Sequence, residues 1–138
     1  MTRRLAEDGR LNLFRAFPDS ETAEIAALHL DSRHVLGLQV KTVDVSTDRA
    51  RATVDVYASS FRASPTTYFV VLAWLRDEKA FHEECLLIPS SEIPKLASDD
   101  GAGHLSFEFR PGATDATRAH VYKRRLPELK DEIERLLT

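Results

Sequence analysis

Cysteine is almost missing from this chain: Cys85 is the only one in 138 residues, so no disulfide can close within it. A reducing, cytoplasmic setting is the expectation that follows. Five glycines and six prolines are too few for a collagen-like or linker-like polymer. No long apolar run is present either. The longest, Phe69-Val70-Val71-Leu72-Ala73-Trp74-Leu75, falls far short of the roughly 20 residues that span a bilayer. The first residues carry Arg3 and Arg4 but no apolar stretch behind them, unlike a signal peptide. An excess of positive charge is lacking too: 19 Lys and Arg face 22 Asp and Glu, a net charge of -3. That balance argues against coating nucleic acid by bulk electrostatics.

What is there describes an ordinary soluble globule, with 43% hydrophobic and 30% charged residues. Residues 1–138 suffice for a single domain with a core of its own. The charge is unevenly spread. Basic residues gather at Arg3, Arg4, Arg10 and Arg15 and again at Lys123-Arg124-Arg125, whereas acidic ones concentrate between Asp77 and Asp100. Such clusters serve equally as solvated faces or as one basic face turned to a phosphate backbone.

Arg3 to Asp8, closed by Gly9, reads as a helical stub, and Leu11 to Phe17 as a first strand stopped by Pro18. Ile25 to Leu30 and Val35 to Val45, joined by the polar turn Asp31-Ser32-Arg33-His34, read as an antiparallel hairpin. Ala52 to Tyr57 is another strand. Tyr68 to Leu75 has the apolar character of a strand buried on both sides. Phe81 to Ile88 is its partner after the charged turn Arg76 to Lys79. A short helix follows Ser90 or Ser91 and runs through Leu96 or Ala97, and His104 to Phe109 alternates as a half-solvated edge strand. The tail, about 115–137, is expected to be helical, with Leu126, Leu129, Ile133, Leu136 and Leu137 on one stripe.

The hairpin carries the chemistry. Residues two apart on a strand point to one side, so Gln39 and Lys41 share a side with Gly37, while Leu36, Leu38 and Val40 take the other. Glu24 opens the first arm. A carboxylate, an amide oxygen and a lysine gathered across such a turn can hold a hard cation and orient a water. The same residues also suit the wet side of an amphipathic strand.

Glu24, the hairpin and the triplet Gln39-Val40-Lys41 resemble the PD-(D/E)XK nuclease superfamily, in its glutamine-x-lysine variant found in Mrr-like restriction enzymes and in uncharacterised bacterial families. The likeness covers roughly Leu11 to Phe109 in layout. It implies an α/β (or α+β) fold, a mixed central sheet flanked by helices, restriction-endonuclease-like. It further implies a Mg²⁺- or Mn²⁺-dependent nuclease acting on DNA. Glu24, Gln39 and the Val40 carbonyl would bind the ion, Lys41 would activate water, and Asp19 and Glu21 are additional carboxylates. Glu24 stands where the family has aspartate, Gln39 is neutral, and only a stub precedes the first strand. These departures leave open an inactive nuclease-fold module for nucleic-acid or protein binding. Cutting two strands implies a homodimer.

Elsewhere the signals are structural. His29, His34, His82, His104 and His120 are scattered without zinc spacing. Cys85 reads as a buried small hydrophobe, and Gly101-Ala102-Gly103 lacks the lysine and helix of a phosphate loop.

Overall fold

A computed structural model of the chain describes residues 9–15, 25–46, 51–59, 61–113 and 118–138. It is a mixed α+β fold built on two sheets. The large sheet runs β1 (Leu11–Arg15), β2 (Ile25–His29), β3 (Val35–Val45), β5 (Thr67–Leu75), β6 (Ala80–Pro89), β9 (Lys123–Arg125), in that spatial order. The small sheet runs β4 (Ala52–Tyr57), β8 (His104–Phe109), β7 (Ser98–Asp99). Neighbouring strands are antiparallel except β3 and β5, which lie parallel from Gly37↔Thr67 to Val45↔Leu75. The expected hairpin is present: β2 pairs with β3 from Ile25↔Leu38 to Leu28↔Val35.

The hairpin turn is tied by its own side chains. The Ser32 backbone N–H donates to His29 Nδ1 at 3.1 Å, and Arg33 N–H donates to the His29 carbonyl at 2.9 Å. Arg33 adopts φ +66°, a left-handed conformation uncommon without glycine or asparagine.

β5 is apolar throughout because both of its sides are covered. Val70 and Leu72 join Leu36, Leu38, Cys85 and Leu87 beneath the helix α2 (Leu129–Leu137). Phe69, Val71, Ala73 and Leu75 join Leu86 and Ile88 beneath the small sheet and the short helix α1 (Ile93–Leu96). The small sheet shows the alternation that such packing requires: Ala52, Val54 and Val56 are buried while Thr53, Asp55 and Tyr57 are exposed.

Three expectations need correction. The sheet is flanked by a helix on one side but largely by the small sheet on the other. His104–Phe109 is the centre of that small sheet, not an edge. The tail is not α-helical up to Glu128: among the described residues a 3₁₀ turn at Arg118–Tyr122, strand β9 and a second 3₁₀ turn at Leu126–Glu128 precede α2. Leu129, Ile133 and Leu137 form the buried stripe, at i, i+4 and i+8, and Leu136 is 44% exposed. The α2 terminus is held by the hairpin turn, since Ser32 Oγ–H and His34 Nδ1–H both donate to the Leu137 carbonyl, at 2.7 and 2.8 Å. That carbonyl is one of the last four a helix cannot satisfy by itself. Among the described residues no helix is long and apolar enough to cross a membrane.

Candidate functional site

Strand β3 separates its side chains as the period of two demands. Leu36 and Leu38 are buried toward α2 with Val40 packed beside them. Gly37, Gln39 and Lys41 therefore lie on the other side, the one covered by the small sheet. Register places Gln39 beside Phe69 of β5 and Phe69 beside Ile88 of β6. The next row is Lys41, Val71 and Leu86. An amide and an ammonium group thus project at the margin of an otherwise apolar layer.

Gln39 is 8% exposed, and its Oε1 atom is buried without a hydrogen-bond partner among the described residues. An unsatisfied buried acceptor costs about 1–3 kcal/mol, so Gln39 is not accounted for as a wet-side residue. Lys41 is half-buried. The Gly37 N–H donates to the Thr66 carbonyl at 2.8 Å, on the β5 side. Because backbone groups alternate sides along a strand, the Val40 carbonyl faces the β2 side. There the described pairing ends at Ile25↔Leu38. Glu24, Asp19 and Glu21 lie outside the described residues.

The loop before β5 is braced against this region. Ser90, fully buried, accepts from the Ser64 backbone N–H and donates to the Ser64 carbonyl, both at 2.9 Å. Phe61, in the same loop, packs on Phe69 with ring centroids 6.0 Å apart. In sequence, Ser90 or Ser91 suits the start of the short helix through Leu96 or Ala97. The role of Ser90 across the chain had no local signal, because Ser64 is 26 residues away.

The other polar candidates behave as structure. His82 is buried and its Nδ1 accepts the Glu84 N–H at 2.8 Å. His104 Nδ1 meets Asp100 Oδ2 at 3.1 Å. Hydrogen bonds from the Ala102 and His104 backbone N–H groups hold the Asp100 carboxyl below its ordinary range. Burial pushes the Cys85 thiol up to about 12, the signature of an inert cysteine. His120 Nδ1 is a second buried atom without a hydrogen bond among the described residues. Among the described residues no group of three or more His, Cys, Asp or Glu could hold a metal ion.

A cleft that sequence reading did not anticipate lies on the small sheet, lined by Thr53, Ser98, Ser106, Glu108, Arg110 and Arg118. Its residues come from four separate stretches of chain, so no motif announced it.

No family model matches the chain, and no curated protein matches it in sequence.

Proposed function

We propose that this chain is a metal-dependent nuclease that hydrolyses phosphodiester bonds in DNA, using the Gln39–Lys41 side of β3. The observation that carries the reading is the Gln39 amide oxygen, buried without a hydrogen-bond partner among the described residues and two residues from Lys41. A hard divalent cation would supply the partner that this acceptor lacks. The hairpin geometry supports the same reading, since it points the Val40 carbonyl toward the strand that follows Glu24.

The donor set fits Mg²⁺ or Mn²⁺ in kind, being oxygen throughout. Gln39 Oε1, the Val40 carbonyl and the Glu24 carboxylate would hold the ion, with Asp19 and Glu21 as further carboxylates. When bound, such an ion polarises the phosphoryl oxygens and lowers the pKa of a coordinated water. The Lys41 ammonium donates hydrogen bonds to the attacking water and to the phosphoryl oxygen on which charge develops. The apolar row formed by Phe69 and Ile88 limits water around these groups, which strengthens each electrostatic contact. A cytoplasmic homodimer would bring two such centres to the two strands of a duplex.

The test is Lys41→Ala with linear and supercoiled DNA in Mg²⁺ and in Mn²⁺. Cleavage is expected to fall about 100-fold or more, with circular dichroism and melting unchanged. Cutting at full rate in the variant overturns the assignment. Wild-type protein that binds Mg²⁺ by calorimetry yet cuts nothing would instead be a binding module on this fold.

A further inference from the structure

We propose that the cleft on the outer side of the small sheet is a binding site for a phosphate group, carried either by a free mononucleotide-sized ligand or by a nucleic-acid strand. The cleft encloses about 540 Å³, within the range of small-ligand sites. Its polar wall is Thr53 from β4, Ser106 and Glu108 from β8, Ser98 from β7, and two arginines that follow, Arg110 and Arg118. Leu96, Phe107 and Ala119 close its apolar inner end. Register explains the convergence: Thr53 lies across from Glu108, and Ser98 lies across from Ser106.

The charge there reverses the sign of the molecule. Glu108 stands between two guanidinium groups, with Oε1 at 3.1 Å from Arg51 and Oε2 at 3.7 Å from Arg110. Arg118 makes no hydrogen bond or ion pair with the described residues, and it is exposed at the cleft wall. Among the described lining residues, Arg110 and Arg118 face the single Glu108 carboxylate, a surplus of one positive charge. Just outside the lining, Arg51 at 3.1 Å from Glu108 and Asp55, which accepts from Ser106 Oγ at 2.6 Å, offset each other. This happens in a chain whose net charge is -3.

The chemistry selects phosphate. Guanidinium groups reaching in from separate segments, beside the hydroxyls of Thr53 and Ser98, supply more donors than a carboxylate's two oxygens can use. A phosphate's three or four oxygens accept them all, and arginine's fork matches that geometry. The site is separate from the proposed nuclease centre. Ala52, Val54, Val56 and Phe109 turn inward to the core that Phe69 and Val71 share, whereas Thr53 and Ser106 turn outward. The inference therefore stands without the nuclease reading.

The experiment is calorimetric titration of the full chain in metal-free buffer with three probes: inorganic phosphate, adenosine monophosphate, and a short single-stranded oligonucleotide. Saturable binding is expected, weakened by added salt and about 10-fold by Arg118→Ala, with Arg110→Gln as a second variant. Arg118 is a surface residue, so its removal leaves the fold intact, and it carries the test should Arg110→Gln fail to fold. Tightest binding of the mononucleotide identifies a free ligand, and tightest binding of the oligonucleotide identifies a strand. Inorganic phosphate bound as tightly as either shows that the phosphate alone is recognised. Arg76→Ala, which removes an exposed basic residue outside the cleft, is expected to leave all three affinities unchanged. Absence of saturable binding for every probe, affinity that survives Arg118→Ala, or affinity lost in Arg76→Ala each overturns the proposal.

Discussion

The two sides of the large sheet are packed by different means. Beneath α2 lie Leu36, Leu38, Val70, Leu72, Cys85 and Leu87, met by Leu129, Ile133 and Leu137. Those side chains are apolar or a neutral thiol, and the buried polar residue on the same side, His29, has its ring nitrogen hydrogen-bonded within the hairpin turn. Beneath the small sheet lie Phe69, Val71, Leu86 and Ile88, met by Val54, Val56, Phe107 and Phe109, yet β3 sends Gln39 and Lys41 into the same side. One strand thus serves a layer optimised for stability with its even residues and a layer that tolerates a buried, unpaired amide with its odd ones. Tolerance of that kind clusters where a chain is shaped for something other than stability.

Core truncations give the largest effects and the first way to break this comparison. Phe69→Ala is expected to cost about 3–5 kcal/mol and Ile133→Ala about 2–5, measured by urea unfolding. The division of labour shows at conditions where both variants remain folded. Phe69→Ala, adjacent in register to Gln39, should weaken Mg²⁺ binding, and Ile133→Ala should leave it unchanged. Equal losses of ion affinity would mean that the two layers are not separate. Ser90→Ala comes next, at about 1–3 kcal/mol, because it strands the N–H of Ser64 and leaves the Ser64 carbonyl with the longer bond from the Thr67 N–H alone. Its effect on DNA cleavage should exceed that of an equally destabilising change beneath α2. Gln39→Leu has the opposite sign. Replacing an unsatisfied buried amide by an apolar group of similar size should stabilise the chain by about 1 kcal/mol while abolishing ion binding. Destabilisation by that change would show that the amide has structural work.

Local features of the fold were legible in the sequence, and nonlocal ones were not. The β2–β3 hairpin, the apolar β5 and its partner β6 follow from alternation and turn chemistry within short windows. The small sheet joins 52–57 to 104–109, and nothing near His104 shows that Ser98–Asp99 pairs on its far side. The tail illustrates tertiary context overriding propensity. Lys123-Arg124-Arg125 suits a helix by composition, but it lies along Leu86, Cys85 and Glu84 as strand β9. Opposed charges favour that placement: Lys123 Nζ is 3.4 Å from Glu84, and Arg125 meets Glu83 at 2.5 Å. Of the candidate centre, the shared side of Gln39 and Lys41 was readable from strand period alone. The burial of Gln39 was not, because it depends on rows contributed by β5 and β6.

The smallest effect at neutral pH belongs to Cys85, and it probes the helix-covered layer by itself. The thiol is fully buried there. Burial raises it to about 12, opposed by Arg124 and assisted by Glu84. Below its ordinary value of 9.0 the thiol is protonated in both folded and unfolded chains, so it adds no pH dependence. Between that value and about 12 the unfolded chain releases the proton and the native one keeps it. Stability should therefore fall as pH rises through this window, by about 1.4 kcal/mol per pH unit for one proton. Tyr122, also raised by burial, acts in the same direction, so the informative quantity is the difference between wild type and Cys85→Ala. That difference should be flat from neutral pH to about 9 and then shrink. A thiol-reactive dye should label Cys85 only as fast as the chain unfolds. Rapid labelling of native protein, or parallel alkaline slopes for the two proteins, would mean that the layer under α2 admits water.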